Sequence, residues 1–460
     1  MKCSNRLAIL FLFLSTTLSW AEQKPEPAAP PQEPTPFGFA DFSWVPGNYG
    51  PPESKLATKY FTPELRLDTA YHYEFSRPKD HTISGSSEVF RANEFQVTQI
   101  GVGGDFNYDD VGFRLMTQFG MYSTTTPRND ASPARGQWQL DNAYRYISEA
   151  YASYHLHYMD GINIQAGIFM SYVGLWSYYN FDNWTYQPSY VSSNTPWFFN
   201  GMRMQFFPNE HLKIEPWLVN GWQSYGMFNE APGLGLQVLY RPNGWLSILG
   251  NQYYGADTLG TPGRIRMHTD DSVMVKYHDS PNSTISKAAF SFTFDAGCEK
   301  GGVAPGQTTE AACDNQYFLG LMAYNRLWFD HDRFGLTVGG GAIRNPGRYL
   351  VLVPPINGAT AYSGVSNGNW YSANPGDDFQ AWDMQISGDY MPTRNVTFRL
   401  EYNHRSASIP YFAGGGGMTP PDANGVPSNQ GAPGSDPGTG WSPDLQKWED
   451  RLTAAMMVRL

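Results

Sequence analysis

The chain has 460 residues, with 31 Lys and Arg against 42 Asp and Glu, a net charge of −11 and 15% aromatic residues. An acidic balance argues against nucleic-acid binding, which depends on neutralising phosphates. Beyond the N-terminal run, no stretch approaches the ~18 consecutive apolar residues of a transmembrane helix, so any residence in a membrane must be by strands.

The first residues, "MKCSNRLAILFLFLSTTLSWAEQ", read as a secretory signal. Lys2 and Arg6 precede an apolar run from Leu7 to Leu14, and Ser19-Trp20-Ala21 places small residues at −3 and −1 of a cleavage point after Ala21. The run is too short for a membrane anchor. Cleavage leaves 29 basic against 42 acidic residues, a mature charge of −13. Residues 22–59 form a Pro-rich leader expected in the periplasm. Its first part, "EQKPEPAAPPQEPTP", is extended and cannot pack. Phe37, Phe39, Phe42 and Trp44 then offer rings that can dock onto or into the body.

From Tyr60 the sequence alternates with a period of two. In "ELRLDTAYHYEF" (64–75), Leu65, Leu67, Tyr71 and Tyr73 form one row and Arg66, Asp68, His72 and Glu74 the other, the signature of a strand with one dry and one wet face. Sixteen segments behave this way: 60–76, 93–107, 111–123, 144–157, 161–172, 197–208, 211–222, 231–241, 245–255, 266–278, 284–296, 316–329, 333–345, 379–391, 395–408 and 447–460. Their typical length of ~10–14 residues exceeds that of soluble strands and suits tilted membrane-spanning ones. Tight turns at "YDD", "YMDG", "PNEH", "RPNG", "DSPNS", "DHDR" and "MPTRN" alternate with long loops at 124–143, 173–196, 297–315, 346–378 and 409–446. That asymmetry characterises outer-membrane barrels. Trp382, Tyr390, Tyr402, Tyr240 and Trp448 sit near the ends of the apolar rows, as interfacial girdles do. The reading is therefore an all-β, antiparallel transmembrane barrel of about 16 strands over residues 60–460, with apolar rows toward lipid and charged rows inside.

Several stretches also resemble the β-barrel porin-2 (OmpL-like) family of bacterial outer-membrane proteins. They are "GIFMSYVG" (167–174), "NGMRMQFF" (200–207), "LVNGWQ" (218–223), "RLEYNHRSASIPYFAGGGG" (399–417) and "KWEDRLTAAMMVRL" (447–460). Asn220-Gly221-Trp222 and the row Arg399, Glu401, Tyr402, Arg405 leading to Tyr411-Phe412 are the most telling. Ile168 stands where the family often has Lys, Gln223 where Asp often follows, and Leu460 where the chain often closes on Phe. The resemblance implies a porin-like barrel in the outer membrane of a Gram-negative bacterium and names no solute.

A sixteen-stranded barrel is wide enough for a water-filled lumen. The expected function is passive diffusion of small hydrophilic solutes or ions past charged side chains, without catalysis or cofactor. The candidate pore-lining residues are Arg66, Asp68, His72, Glu74, Arg114, Glu149, Arg203, Lys213, Glu215, Arg326, Asp383, Arg399, Glu401, Arg405, Glu449 and Arg451. The aromatic loop 171–199 is expected to pack over the barrel mouth or against a neighbouring subunit; the alternative is an inward fold that stacks on saccharide rings. Trp222 is expected at the membrane interface. Cys298 and Cys313 are expected to staple one surface loop as a disulfide, with free thiols or a metal pair as alternatives. His155 and His157 read as polar rim residues rather than a metal pair, and Asp109-Asp110, Asp270-Asp271 and Asp377-Asp378 as solvated acidic pairs in turns or loops. Expected partners are outer-membrane lipid, the barrel-assembly machinery through the C-terminal strand, and further copies in a homotrimer. No Ser–His–Asp set falls on adjacent strands, so a rim enzyme is disfavoured; an adhesive barrel acting through its loops is the other alternative.

Overall fold

The computed structural model describes residues 35–47, 56–78, 81, 83, 85–86, 88–304, 307–349, 375–409, 411–415 and 445–460. The signal segment, the first part of the leader and most of loops 346–378 and 409–446 lie outside the described residues.

Sixteen antiparallel strands close into a barrel. In chain order they are β1 (Phe61–Glu74), β2 (Phe95–Tyr108), β3 (Val111–Thr117), β4 (Ile147–Leu156), β5 (Ile162–Met170), β6 (Phe198–Asn209), β7 (Leu212–Val219) and β8 (Gly233–Asn243). There follow β9 (Leu246–Gly255), β10 (Ile265–Asp279), β11 (Ile285–Lys300), β12 (Tyr317–Phe329), β13 (Phe334–Arg344), β14 (Gln380–Thr393) and β15 (Val396–Ala407). Two short strands, β16 (Phe412–Ala413) and β17 (Leu445–Gln446), pair with each other outside the wall. The last strand, β18 (Trp448–Arg459), lies between β15 and β1 and closes the ring.

The two-residue period sets the faces. On β1, Arg66, Asp68, Ala70, His72 and Glu74 are buried inside while Leu65 and Leu67 are exposed outside. On β18, Glu449, Arg451, Thr453, Ala455, Met457 and Arg459 are buried, and Leu452, Ala454 and Met456 are exposed. The exposed rows are the apolar ones, as a lipid-facing wall requires. Trp382, Tyr390, Tyr240 and Trp448 stand exposed in that wall. Half-buried Tyr402 donates to Asp450 at 2.6 Å. A 12-residue strand extends roughly 40 Å, enough when tilted to cross an apolar band of ~25 Å. Connections of two to five residues join strands at one end, which we call the short-turn end, and long loops crowd the other.

Two elements depart from the sequence reading. The segment expected at 111–123 stops as β3 at Thr117, although Phe119 still bridges Ile100. Gly120, at φ +95°, swings the chain inward to the short helix α1 (Tyr122–Thr125), where Tyr122 is buried. Asp270-Asp271 is not a turn pair, because both residues lie within β10. Asp270 points inward and is buried opposite Asp295 of β11, while Asp271 accepts from Thr269 on the outer row.

Candidate functional site

The loop between β5 and β6 turns into the barrel, correcting its expected place over the mouth. Its aromatic residues Tyr172, Trp176, Tyr178, Tyr179, Trp184, Tyr186, Tyr190 and Trp197 are all buried. The physical reason is a set of inner-wall acceptors aimed at its backbone. Glu401 of β15 accepts from the Tyr186 and Gln187 amides at 2.6 and 2.9 Å. Asp383 of β14 accepts from the Tyr190 amide at 2.7 Å and the Ser189 hydroxyl at 2.9 Å. Arg399 donates to the Asn180 and Asn183 carbonyls, and Arg326 to the Trp184 carbonyl. Buried backbone groups need such partners, and each charge-assisted bond contributes about 1.5–3 kcal/mol. Two inner-row glycines admit the loop: a Cβ at Gly235 would lie 1.9 Å from the Tyr172 hydroxyl, and one at Gly341 2.3 Å from Ser189 Oγ. The loop's rings pack on the wall rather than opening a face for saccharides, as in the stacks of Tyr172 on Trp217 (4.7 Å) and on Phe199 (5.0 Å).

Asp182 of this loop holds two arginines, Arg66 of β1 at 3.1 Å and Arg459 of β18 at 2.7 Å. Those arginines face each other in register across the β1–β18 seam.

The described part of the leader enters from the short-turn end. Phe37, Trp44 and Val45 are buried in the same apolar cluster as Tyr172, Trp176 and Trp184. The Phe37 amide donates to the Glu210 carbonyl in the β6–β7 turn at 2.9 Å, and the Gly47 amide to the Asp182 carbonyl at 3.0 Å. Gly47, at φ +74°, lets the chain pass where a Cβ would meet the Leu175 carbonyl oxygen at 2.1 Å. Three cations form a collar on β8, β10 and β11. The Arg241 guanidinium lies 4.2 Å from the Phe42 ring centre and donates to the Asp41 carbonyl at 3.0 Å. Lys276 and Lys287 stand 3.9 and 3.8 Å from the Asp41 carboxylate. Partial burial alone would raise the Asp41 carboxyl, but hydrogen bonds from Ser43 and the charges of Lys287 and Lys276 bring it below its ordinary value of 3.8.

These inserts divide the inner wall into two regions. Along β12, β14, β15, β18 and β1, Asp68, His72, Glu74, Arg326, Asp383, Arg399, Glu401, Arg405, Glu449 and Arg451 are buried. Sequence reasoning missed Asp389, which bridges Arg326 and Arg399 at 2.7 Å each. It shares the inner row of β14 with Asp383, so the period-two signal was available. Along β1–β7, near the short turns, the side chains of Glu64, Asp105, Arg114, Arg203 and Lys213 keep partial exposure, while Glu149, Gln165 and Glu215 are buried among them. Arg114 gathers Glu64 (3.0 Å), Asp105 (2.8 Å) and Glu149 (2.8 Å), and the Asp105 side chain is 43% exposed. Arg203 and Lys213 share Glu215 at 3.7 and 3.0 Å. From the second group, side-chain hydrogen bonds run from Arg203 through Gln165 to Ser153, and from Glu215 through Gln205 to Asn163. Arg66, paired with both Glu64 and Asp182, sits at the boundary.

Other candidates fall elsewhere. Trp222 is inside the barrel, not at the interface; it packs on Tyr253 and His268 at 4.9 Å each because Gly221 turns the chain inward after β7. Asp257, in the β9–β10 loop, accepts from the Trp222 amide and the Tyr253 hydroxyl, and burial pushes its carboxyl up. Gln223 ties two loops, accepting from the Trp197 amide and donating to the Thr126 carbonyl. Cys298 and Cys313 are bonded, with sulfurs 2.04 Å apart, stapling the β11–β12 loop. His155 contacts Asn163 and His157 contacts Asp110, at 2.8 and 2.7 Å. Among the described residues, no group of three or more His, Cys, Asp or Glu is placed to hold a metal ion.

With this geometry in view, the sequence matches the family described as "Putative beta-barrel porin-2, OmpL-like" over residues 61–426. The chain belongs to that family. No curated protein matches it in sequence. Among solved structures, the fold is similar to an anion-selective porin from Comamonas acidovorans, at 9% identity and a TM-score of 0.50, covering 87% of this chain and 99% of that one. The channel DcaP of Acinetobacter baumannii (10% identity, TM-score 0.45, 87% and 97% covered) and OprB of Pseudomonas putida (9%, 0.45, 87% and 93%) are also similar. The protein is thus a porin-like β-barrel of the outer membrane.

Proposed function

We propose that this porin-family barrel admits small hydrophilic solutes and ions by passive diffusion, after export and removal of residues 1–21. The short-turn end then faces the periplasm, and β18 is the strand offered to the assembly machinery. The observation that carries the reading is the partly exposed polar wall of β1–β7, beside an opposite wall sealed by the inward loop. Solutes would pass along that polar wall, exchanging hydration for its amides and charges. The group around Arg114 has three carboxylates for one guanidinium. The group around Glu215 has two cations for one carboxylate. Such a wall suits neutral solutes or those carrying both signs, and selects weakly between ions. The reaction chemistry is diffusion alone, so no residue is assigned a catalytic role.

Single-channel recording of the refolded mature protein under a potassium chloride gradient tests this. The expected result is discrete open steps with a reversal potential near zero, shifted toward cation preference by Arg203→Gln. A sealed bilayer despite verified insertion would overturn the reading.

A further inference from the structure

Two inserts occupy the barrel, and they are attached in different ways. The wall does not need the leader, since β1 is paired with β2 on one edge and β18 on the other. Among the described residues, only two backbone–backbone hydrogen bonds join residues 35–47 to the barrel and its inward loop. The ionic contacts of Asp41 are long, and its side chain is 44% exposed. Such pairs hold weakly and are screened by salt.

The collar lysines do not depend on Asp41. Lys276 also pairs with Asp279, and Lys287 with Asp332 at 2.7 Å. Departure of the segment therefore strands neither lysine in an uncompensated state, and Arg241 at the periplasmic mouth is freed to hydrate. What holds the segment is chiefly the burial of Phe37, Trp44 and Val45, reinforced by the Arg241 guanidinium over Phe42.

We propose that residues 37–47 are a releasable stopper, seated in the short-turn mouth by the Arg241, Lys276 and Lys287 collar, and that their withdrawal toward the periplasm widens the path. This rests on the channel reading above. The stopper meets the inward loop end to end, at Gly47 against Leu175 and Asp182, so the two constrict the path in series. Withdrawal removes one constriction and leaves the other in place.

The test compares unitary conductance of the full mature chain, a variant lacking residues 35–47, and an Asp41→Cys, Lys287→Cys variant joined by a short bis-maleimide. Because the removed residues contribute nothing to the sheet, the deletion leaves barrel closure intact, and a heat-dependent gel shift verifies it. The deletion is expected to raise conductance by about twofold or more, as when one of two constrictions in series is lost. The full chain is expected to visit that level transiently, and the cross-linked protein to stay at the lower one. Equal conductance in the full chain and the deletion would overturn the stopper and leave the channel reading standing. So would a cross-linked protein that conducts like the deletion. Inserted proteins that all remain sealed would overturn both.

Discussion

The inward loop and the N-terminal segment both fill lumen, yet they teach opposite lessons about what fixes a segment in place. The loop is held by buried charged groups aimed at its backbone and at Asp182. If it left, Glu401 would lose two amide donors, and Arg459 would lose the Asp182 carboxylate as an acceptor. The segment is held by apolar burial, by the Arg241 guanidinium over Phe42, and by two lysines that have other partners. Removing one member of a buried charged pair costs about 3–5 kcal/mol, whereas exposed pairs contribute under about 1 kcal/mol. The contrast separates a permanent constriction from a removable one.

The largest expected effect tests the permanent side. The double variant Glu401→Ala, Asp383→Ala leaves three backbone amides and the Ser189 hydroxyl without acceptors, at about 1–3 kcal/mol for each buried group. Protease nicking within residues 171–197 and a jump in conductance are expected; continued protection of the loop would break the comparison. A smaller effect is expected for Arg241→Ala, which removes a cation over Phe42 and a bond to the Asp41 carbonyl. A cost of about 1.4 kcal/mol corresponds to tenfold faster hydrogen exchange across residues 37–47, with the inward loop unaffected.

The smallest effects come from salt and pH. Raising potassium chloride from about 0.1 to 1 M shortens the screening length from ~10 to ~3 Å and should loosen the segment by less than about 1 kcal/mol. The Asp41 carboxyl titrates below 3.8, so its contribution is present above that value and fades as pH falls through the lowered one. Protection of the residue 37–47 amides, corrected for the intrinsic pH dependence of exchange, should weaken as pH falls below 3.8 and Asp41 protonates beside Lys276 and Lys287. An Asp41→Asn variant, lacking the titration, isolates the effect.

The strands were legible because the signals that make them are local. Alternation and turn residues placed fifteen of the sixteen within about four residues at each end and overran β3, where Gly120 turns the chain inward. Even β10 was found, although Asp271 and Thr269 interrupt its outer row. The inward loop was not legible, because its partners Glu401, Asp383 and Asp68 lie more than 100 residues away and look like ordinary wet-face residues. One clue was present: Gly235 and Gly341 occupy inner-row positions where an open lumen would tolerate any side chain. The same limit hid the role of Asp182, since a lone acid in an aromatic loop says nothing about two arginines on the first and last strands.

The placement of Asp182 bears on how the molecule is assembled. Arg66 and Arg459 meet only when the first strand finds the last, and like charges placed opposite each other disfavour that pairing. Asp182 supplies a negative charge shared by both, beside the Glu64 that Arg66 also holds. A ring whose loop has not yet entered therefore carries an electrostatic objection to its final seam, and a correctly inserted loop lifts it. Closing the seam and seating the loop are thereby coupled through one carboxylate.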